Sequence, residues 1–356
     1  MKSKLAILYG QAPEFSTSFQ TRELARHLEP WFDVNHFEVR SGASFFGRQI
    51  ARLSQNLFSP AYKFPSGNFL LYGNDGFVDL RRVAAKRILY WYDAPEDWSL
   101  HKPTGFKDRI RYQNVLAADH VFAVSAAQLG VAKKLRRGRE HSVHYLPVGV
   151  DCAFFDPALV DRIAARHRFG INPREVTIGY LGYLGRWKNR FAGEALLEAA
   201  PLLKDHKFLI IGSGPALADW KKRVAELGLE KQFIFTGFIP LSDLPAAIAV
   251  TDICVDTLEP GFHSEARSET KLKQYMAMAR ACVATDIGEN RVDLDDGRAG
   301  LLTAPNPAAL AEAIVRLAND SAERERLGKL ARARAQNVYS WELHARALAE
   351  RVLGTS

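Results

Sequence analysis

The feature that most narrows the folds open to this chain is a repeated unit: a strand-length apolar run, a short turn, then a segment of helical periodicity. In the second half, residues 208–211 run into Gly212-Ser-Gly214 and a helix over 216–227. Residues 233–236 then precede a helix over 241–249, Ile253–Asp256 precedes a long polar loop, and a helix over 271–279 leads to a strand over 282–286. The first half keeps the same rhythm, with strands over 5–9, Phe69–Tyr72, 88–92, 120–124 and 143–146 and a helix over Phe106–Ala117. Such alternation predicts an α/β fold with parallel sheets. The rhythm breaks where Pro147, Gly149, Asp151 and Pro157 crowd together; a polar helix over 158–169 and a fresh strand over 176–181 follow. The break predicts one domain over 1–157 and a second over 172–338. A helical region over 307–337 and, after Trp341, an amphipathic helix to Leu353 close the sequence.

With 356 residues the chain exceeds one ordinary core and suits two. Its apolar runs are strand-length, far short of the ~20 residues that span a bilayer. Met1-Lys-Ser-Lys leads directly into a strand, with no apolar leader. The three cysteines, Cys152, Cys254 and Cys282, are far apart and lack metal-ligand spacing. These features point to the reducing cytosol. The net charge is +8, and residues 1–157 hold 21 Lys/Arg against 15 Asp/Glu, so an anionic partner would meet the first half.

Gly212-Ser-Gly214-Pro215 is a weak signal by itself: it lacks the third glycine of a dinucleotide fingerprint, and a tight strand-to-helix turn explains it equally well. Stronger is Gly179-Tyr-Leu-Gly182-Tyr-Leu-Gly185-Arg186-Trp-Lys188, which puts three glycines and two cations on one turn expected to enter a helix. Glycines admit a ligand close to the backbone, and Arg186 and Lys188 suit a departing diphosphate; a solvated basic turn is the plainer alternative. The polar loop 259–269 contains Gly261, His263, Glu265 and Glu269 and ends at Thr270-Lys271, where free backbone donors favour an anion. Open α/β sheets bind ligands at such strand ends.

Taken in order, these motifs make the second domain resemble the donor half of the GT-B glycosyltransferases, nearest to glycosyltransferase family 4. Gly182 to Lys188 copies the family's glycine-to-lysine spacing, with Tyr183 where arginine is usual and Arg186 as the neighbouring substitute. Residues 270–277 with 281–286 are similar to its helix and strand after the donor loop. Residues 288–297 with 299–302 look like its next loop, and Leu146-Pro-Val-Gly149-Val-Asp151 like its interdomain segment. The resemblance covers roughly residues 115–350. It implies two facing Rossmann-like domains with parallel sheets and a cleft between them, and a last helix (339–356) that crosses back onto the first domain. It also implies a nucleoside diphosphate sugar as co-substrate, retention of configuration and no essential metal or other cofactor. Lys188, Arg186, Gly182, Gly185, Gly261, His263 and Lys271 would then serve the diphosphate. The family's pair of glutamates eight positions apart falls on Ala266 and Gln274 here. Gln274 would take the ribose without charge assistance, and Glu265 or Glu269 would replace the missing sugar contact.

In the first half, Tyr90-Trp-Tyr-Asp93-Ala-Pro-Glu96-Asp97-Trp98 sets carboxylates and aromatics at a strand end. Asp93, Glu96 and Asp97 are candidates to orient or deprotonate an acceptor hydroxyl, Asp93 first; helix capping by Asp97 with core aromatics is the plainer reading. The segment resembles a Tyr-Asp-x-x-Asp-Asp-Trp stretch in bacterial transferases of the teichuronic-acid type, which implies a cell-surface glycan or lipid-linked acceptor. Residues 45–58 mix aromatics, aliphatics and arginines; with Lys133-Lys-Leu-Arg136-Arg137 they suit either a core-facing helix or docking on the inner face of an anionic membrane. No nucleic-acid recognition motif accompanies the charge. A nucleotide-sugar epimerase or phosphorylase on the same architecture, or a catalytically silent partner subunit, is the rival expectation.

Overall fold

The computed structural model describes residues 2–9, 16–38, 69–73, 79–91, 106–187, 190–191 and 193–354. The chain divides into two compact units, one of Met1–Gly149, Gly261–Ser268 and Trp341–Ser356, the other of Val150–Pro260 and Glu269–Ser340. In the first unit the chain runs through β1 (Ser3–Tyr9), α1 (Ser16–Arg26), β2 (Phe32–Glu38), β3 (Phe69–Tyr72), β4 (Lys86–Trp91), α2 (Phe106–Ala117), β5 (His120–Ala123), α3 (Ala126–Leu135) and β6 (Val143–Tyr145). The second unit begins with α4 (Arg162–Arg168), β7 (Thr177–Leu181), β8 (Arg186–Trp187), β9 (Arg190–Phe191), α5 (Glu194–Ala199), β10 (Lys207–Ile211) and α6 (Leu217–Glu226). It continues with β11 (Phe233–Gly237), α7 (Leu244–Ala249) and β12 (Ile253–Asp256). After α8 (Phe262–Glu265), which belongs to the first unit, come α9 (Thr270–Ala277), β13 (Ala281–Thr285), α10 (Glu289–Asp293), β14 (Leu301–Thr303), α11 (Pro307–Asn319) and α12 (Ser321–Val338). The last helix, α13 (Trp341–Leu353), is again part of the first unit.

Each unit holds a six-stranded sheet, ordered β2-β1-β3-β4-β5-β6 and β11-β10-β7-β12-β13-β14. All ten pairings in these sheets are parallel. The central strands are apolar throughout because both faces are covered. On β1, Leu5 and Ile7 join a cluster with Leu24, Leu28 and the α13 residues Trp341, Leu348 and Val352, while Ala6 and Leu8 face a second cluster with Leu89, Val121 and Val131. In the second unit Trp220 of α6 is fully buried against Tyr180, Phe208 and Phe233. Burying one such aromatic stabilises the fold by about 2–3 kcal/mol.

Within the six-stranded sheets the strands absent from the sequence reading are β2 and β14, each at one edge of its sheet. An edge strand keeps one flank in water, so β2 carries exposed Asp33, Asn35 and His36, and no continuous apolar run marks it. The expected helix over 158–169 is instead a 3₁₀ turn (Pro157–Leu159) followed by α4, because Asp161 caps the latter by accepting from the Ile163 and Ala164 amides. The region 307–337 likewise divides at Asp320, which accepts from the Glu323 amide and starts α12. The unit boundary falls at Gly149/Val150 rather than after residue 157. Residues 150–171 stay with the second unit since Arg162 and Arg166 of α4 both pair with Asp252.

Arg136, expected at a membrane-facing basic patch, is buried. Its guanidinium donates to the carbonyls of Val115 and Ala118 and to Ser142 Oγ, so it closes the C-terminus of α2 and offers no charge to a surface. Residues 45–58 lie outside the described residues.

His120 and His144 sit on neighbouring strands with stacked rings, Nδ1 of the first 3.3 Å from Nε2 of the second. Burial, then His120, Arg351, His141 and Arg136, bring His144 down from 6.5 to about 4. A histidine lowered in the folded state binds its proton more readily when unfolded. Its contribution is therefore complete above about pH 6.5 and is lost as pH falls toward 4. For a half-buried ring this amounts to about 1–2 kcal/mol. Urea titrations at several pH values are expected to show this decline in the native chain and a flatter dependence in His144→Gln.

Candidate functional site

The second unit gathers most of the described sequence candidates at the C-terminal ends of its strands. After β7 the chain turns at Gly182–Gly185, and this turn rests on the one that follows β10. The Gly182 amide donates to the Ile211 carbonyl (3.0 Å), the Leu184 amide to the Ser213 carbonyl (3.0 Å), and the Ala216 amide to the Leu184 carbonyl (2.9 Å). Such approach leaves no room for side chains. A Cβ on Gly212, whose φ is +129°, would collide with the Gly182 carbonyl oxygen, and one on Gly214 with that of Leu184. Gly212-Ser-Gly214 is thus the bed on which the 182–185 turn lies, which gives the plainer of its two sequence readings a structural cause.

The turn does not enter a helix directly, as the sequence reading expected. The β8–β9 hairpin, joined antiparallel, intervenes before α5. Arg186 opens that hairpin, and its guanidinium is ion-paired with Asp219 in the first turn of α6. Its charge is therefore partly compensated, although half of the side chain is open to water. Lys188 lies outside the described residues, as do Asp93, Glu96 and Asp97.

At the end of β12 the fully buried Asp256 carboxylate lies 2.9 Å from Lys271 Nζ, which comes from the first turn of α9. The ammonium also sits 4.8 Å from the Tyr180 ring centroid and 3.8 Å from Glu269 Oε2. Burial acts against the Lys271 charge, but Asp256, Tyr180 and Glu269 together outweigh it and raise the ammonium well above the usual lysine range. Lys271 is therefore a firmly charged but already partnered cation. One turn on, Gln274 is buried at 6% exposure, and among the described residues no group hydrogen-bonds its side-chain amide. Its neighbour Tyr275, fully buried, accepts a 2.7 Å bond from the Leu181 amide and so ties α9 to the start of the glycine turn.

Gly261, His263 and Glu265, grouped by the sequence with the second domain, belong to the first unit. The chain leaves the second unit at Gly261 and returns at Glu269 because two anchors hold the excursion. Phe262 packs against the cluster around Leu8, Tyr72 and Leu89, and Ser268 Oγ accepts from the Val148 amide at 3.1 Å. Ala266, where the resemblance would have a glutamate, is wholly buried within this segment. Glu269, by contrast, stays with Lys271 in the second unit. Sequence reasoning missed Asp256 and Asp219. The first had a signal: a single acidic residue closing the otherwise apolar run Ile253-Cys-Val, with a lysine in the first turn of α9 beyond the loop. The second had none, since a carboxylate in a first helical turn is ordinary. Among the described residues no three His, Cys, Asp or Glu side chains form a metal-holding group.

Residues 176–320 match the family described as glycosyl transferases group 1. The 2-deoxystreptamine glucosyltransferase of Streptomyces kanamyceticus is 31% identical over 235 residues, covering 64% of this chain and 55% of that protein. A GDP-mannose-dependent α-(1-6)-phosphatidylinositol monomannoside mannosyltransferase of Mycolicibacterium smegmatis is 25% identical over 262 residues, or 66% of this chain and 64% of its own length. The chain thus spans less than two-thirds of either relative. In fold it is similar to Anabaena Alr3699/HepE, solved in complex with UDP and glucose, with a TM-score of 0.77, 16% identity, and coverage of 99% of this chain and 100% of that one. The two parallel six-stranded sheets with their helices are the GT-B architecture.

Proposed function

We propose, from the premise that residues 176–320 are a glycosyl transferases group 1 domain, that this protein transfers a sugar from a nucleoside diphosphate sugar to a hydroxyl group. One observation carries the reading: the 182–185 turn, fixed on Gly212, stands at the same sheet end as the Lys271 ammonium, one helical turn before the buried Gln274. In this reading the turn's backbone and Arg186, with Lys188, meet the diphosphate as it departs, and Gln274 receives the ribose. Asp93, Glu96 and Asp97 serve the acceptor, a cell-surface glycan or lipid-linked precursor, on the cytosolic side. Transfer retains configuration and needs no metal. The relatives named above support a sugar donor and differ among themselves in acceptor. Among the described residues no helix is long and apolar enough to cross a membrane.

A second reading, a silent partner subunit, has its own observation: Ala266 and Gln274 stand where the resemblance implies glutamates, and Lys271 is already neutralised. A thermal-shift screen with UDP, GDP, ADP, CDP and their sugars separates the possibilities. A ligand at a hundredfold excess over its Kd stabilises by about 2.7 kcal/mol, which raises the melting temperature by several degrees. One base series is expected to produce that shift, and Lys188→Ala with Arg186→Ala to remove it. A flat response to every nucleotide sinks the donor reading. Binding without transfer or hydrolysis across a panel of acceptors, with no gain in Gln274→Glu, favours the silent subunit.

A further inference from the structure

We propose that Asp256 is a positioning residue of the donor site, which acts through Lys271 by holding its ammonium charged and fixed at the end of β7 and β12. The inference rests on the donor reading above and adds a residue to it.

The geometry is one-sided. Asp256 is wholly buried, whereas its partner Lys271 keeps 13% of its side chain open to water. A carboxylate buried without need is costly, and a strand that is otherwise Ile, Cys and Val would be satisfied by an apolar residue at its last position. What the carboxylate supplies is a fixed counter-charge at 2.9 Å, with the Tyr180 ring 4.8 Å from the same ammonium. The groups facing the pair are Tyr180 from β7, Glu269 ahead of α9, Tyr275 on α9, Cys254 on β12 and Cys282 on β13. Burial holds Tyr275 and both thiols neutral at ordinary pH, so Asp256 and Glu269 are the only anions in this set. Of these two, Asp256 is closer to Lys271 by 0.9 Å (2.9 against 3.8 Å) and lies deeper. Without it, the desolvation of Lys271 would be opposed only by Tyr180 and the more distant Glu269 among the groups named, and the ammonium would lose its proton at a lower pH. An ammonium kept charged and aimed in advance requires no reorganisation when a diphosphate arrives.

The test measures affinity for whichever nucleoside diphosphate stabilises the native chain, from about pH 7 to about pH 9, in the native chain and in Asp256→Asn. The ratio of the two affinities is used, so that titration of the nucleotide itself cancels. The expected result is a modest loss near pH 7 that grows about tenfold by pH 9, as Lys271 deprotonates in the variant alone. Equal affinities at every pH, or a loss by one constant factor, would overturn the proposal. Should Asp256→Asn fail to fold, Asp256→Asn/Lys271→Met leaves no buried charge at the position. Wild-type affinity in that double variant would overturn the proposal as well, and a loss independent of pH supports it. If the native chain binds no nucleoside diphosphate, the donor reading itself falls, a result distinct from all of these.

Discussion

Gly212→Ala is expected to destabilise the second unit by about 3 kcal/mol and to abolish saturable nucleotide binding. Two causes add. The residue has a φ of +129°, a region that side-chain-bearing residues rarely enter, and its Cβ would collide with the Gly182 carbonyl oxygen, a backbone atom that no rotamer change can move aside. Relief requires the 182–185 turn to lift from its bed and break the hydrogen bonds from Gly182 to Ile211 and from Leu184 to Ser213. The turn is the part of the molecule assigned to the diphosphate, so stability and affinity fall together. Gly228→Ala is the control: φ is +66°, but nothing lies within 4 Å of the added carbon. It is expected to cost about 1 kcal/mol and to leave affinity unchanged. Urea denaturation and nucleotide titration of both variants check the pair. If Gly212→Ala binds like the native chain, the turn is not part of the donor site.

The same contact shows why the sequence could be read so far and no further. A buried parallel strand must be apolar on both faces, so β1, β3, β7, β10 and β13 were visible as runs such as Phe208-Leu-Ile-Ile211. Edge strands carry no such constraint: β6 and β11 were apolar enough to be read, but β2 is polar along much of its length and β14 is only three residues long. Helix breaks made by one capping side chain, at Asp161 and Asp320, are local signals that a long periodic pattern overrides. At the site, the motif 179–188 was legible because glycines and cations at a strand end are unusual in composition. That Gly212 and Gly214 support this motif rather than a ligand depends on a contact across about 30 residues of chain. The partners of Arg186 and Lys271 likewise come from other elements, α6 and β12. Sequence shows where a charge sits along the chain but not which opposite charge folds against it. The excursion of residues 261–268 into the first unit belongs to the same class, since its anchors are Phe262, an ordinary apolar residue, and one serine hydroxyl.

Lys273→Met is expected to cost about 3–5 kcal/mol near pH 8, and Lys273→Met/Asp293→Leu to recover most of that loss. Lys273 of α9 and Asp293 of α10 form an ion pair in which neither side chain is exposed at all, with the Tyr339 ring centroid 5.4 Å from the ammonium. Removing the lysine leaves a fully buried carboxylate without a cationic partner, beside the Tyr339 hydroxyl and near Glu289, and that uncompensated charge, rather than the lost attraction, sets the cost. Burial already raises the Asp293 carboxyl above its ordinary value, outweighing the opposing pull of Lys273. Without the lysine the carboxyl rises further and takes up a proton more readily. The penalty of the single variant is therefore expected to be smaller near pH 5 than near pH 8, whereas a simple loss of packing would cost the same at both. Replacing both partners removes the charge altogether, and a methionine beside a leucine fills much of the same volume. Urea denaturation of the single and double variants at both pH values reads the result. A single variant within about 1 kcal/mol of the native chain at each pH would mean that α9 and α10 are held by apolar contacts alone, and that the buried pair has no part in fixing the helix that carries Lys271 and Gln274.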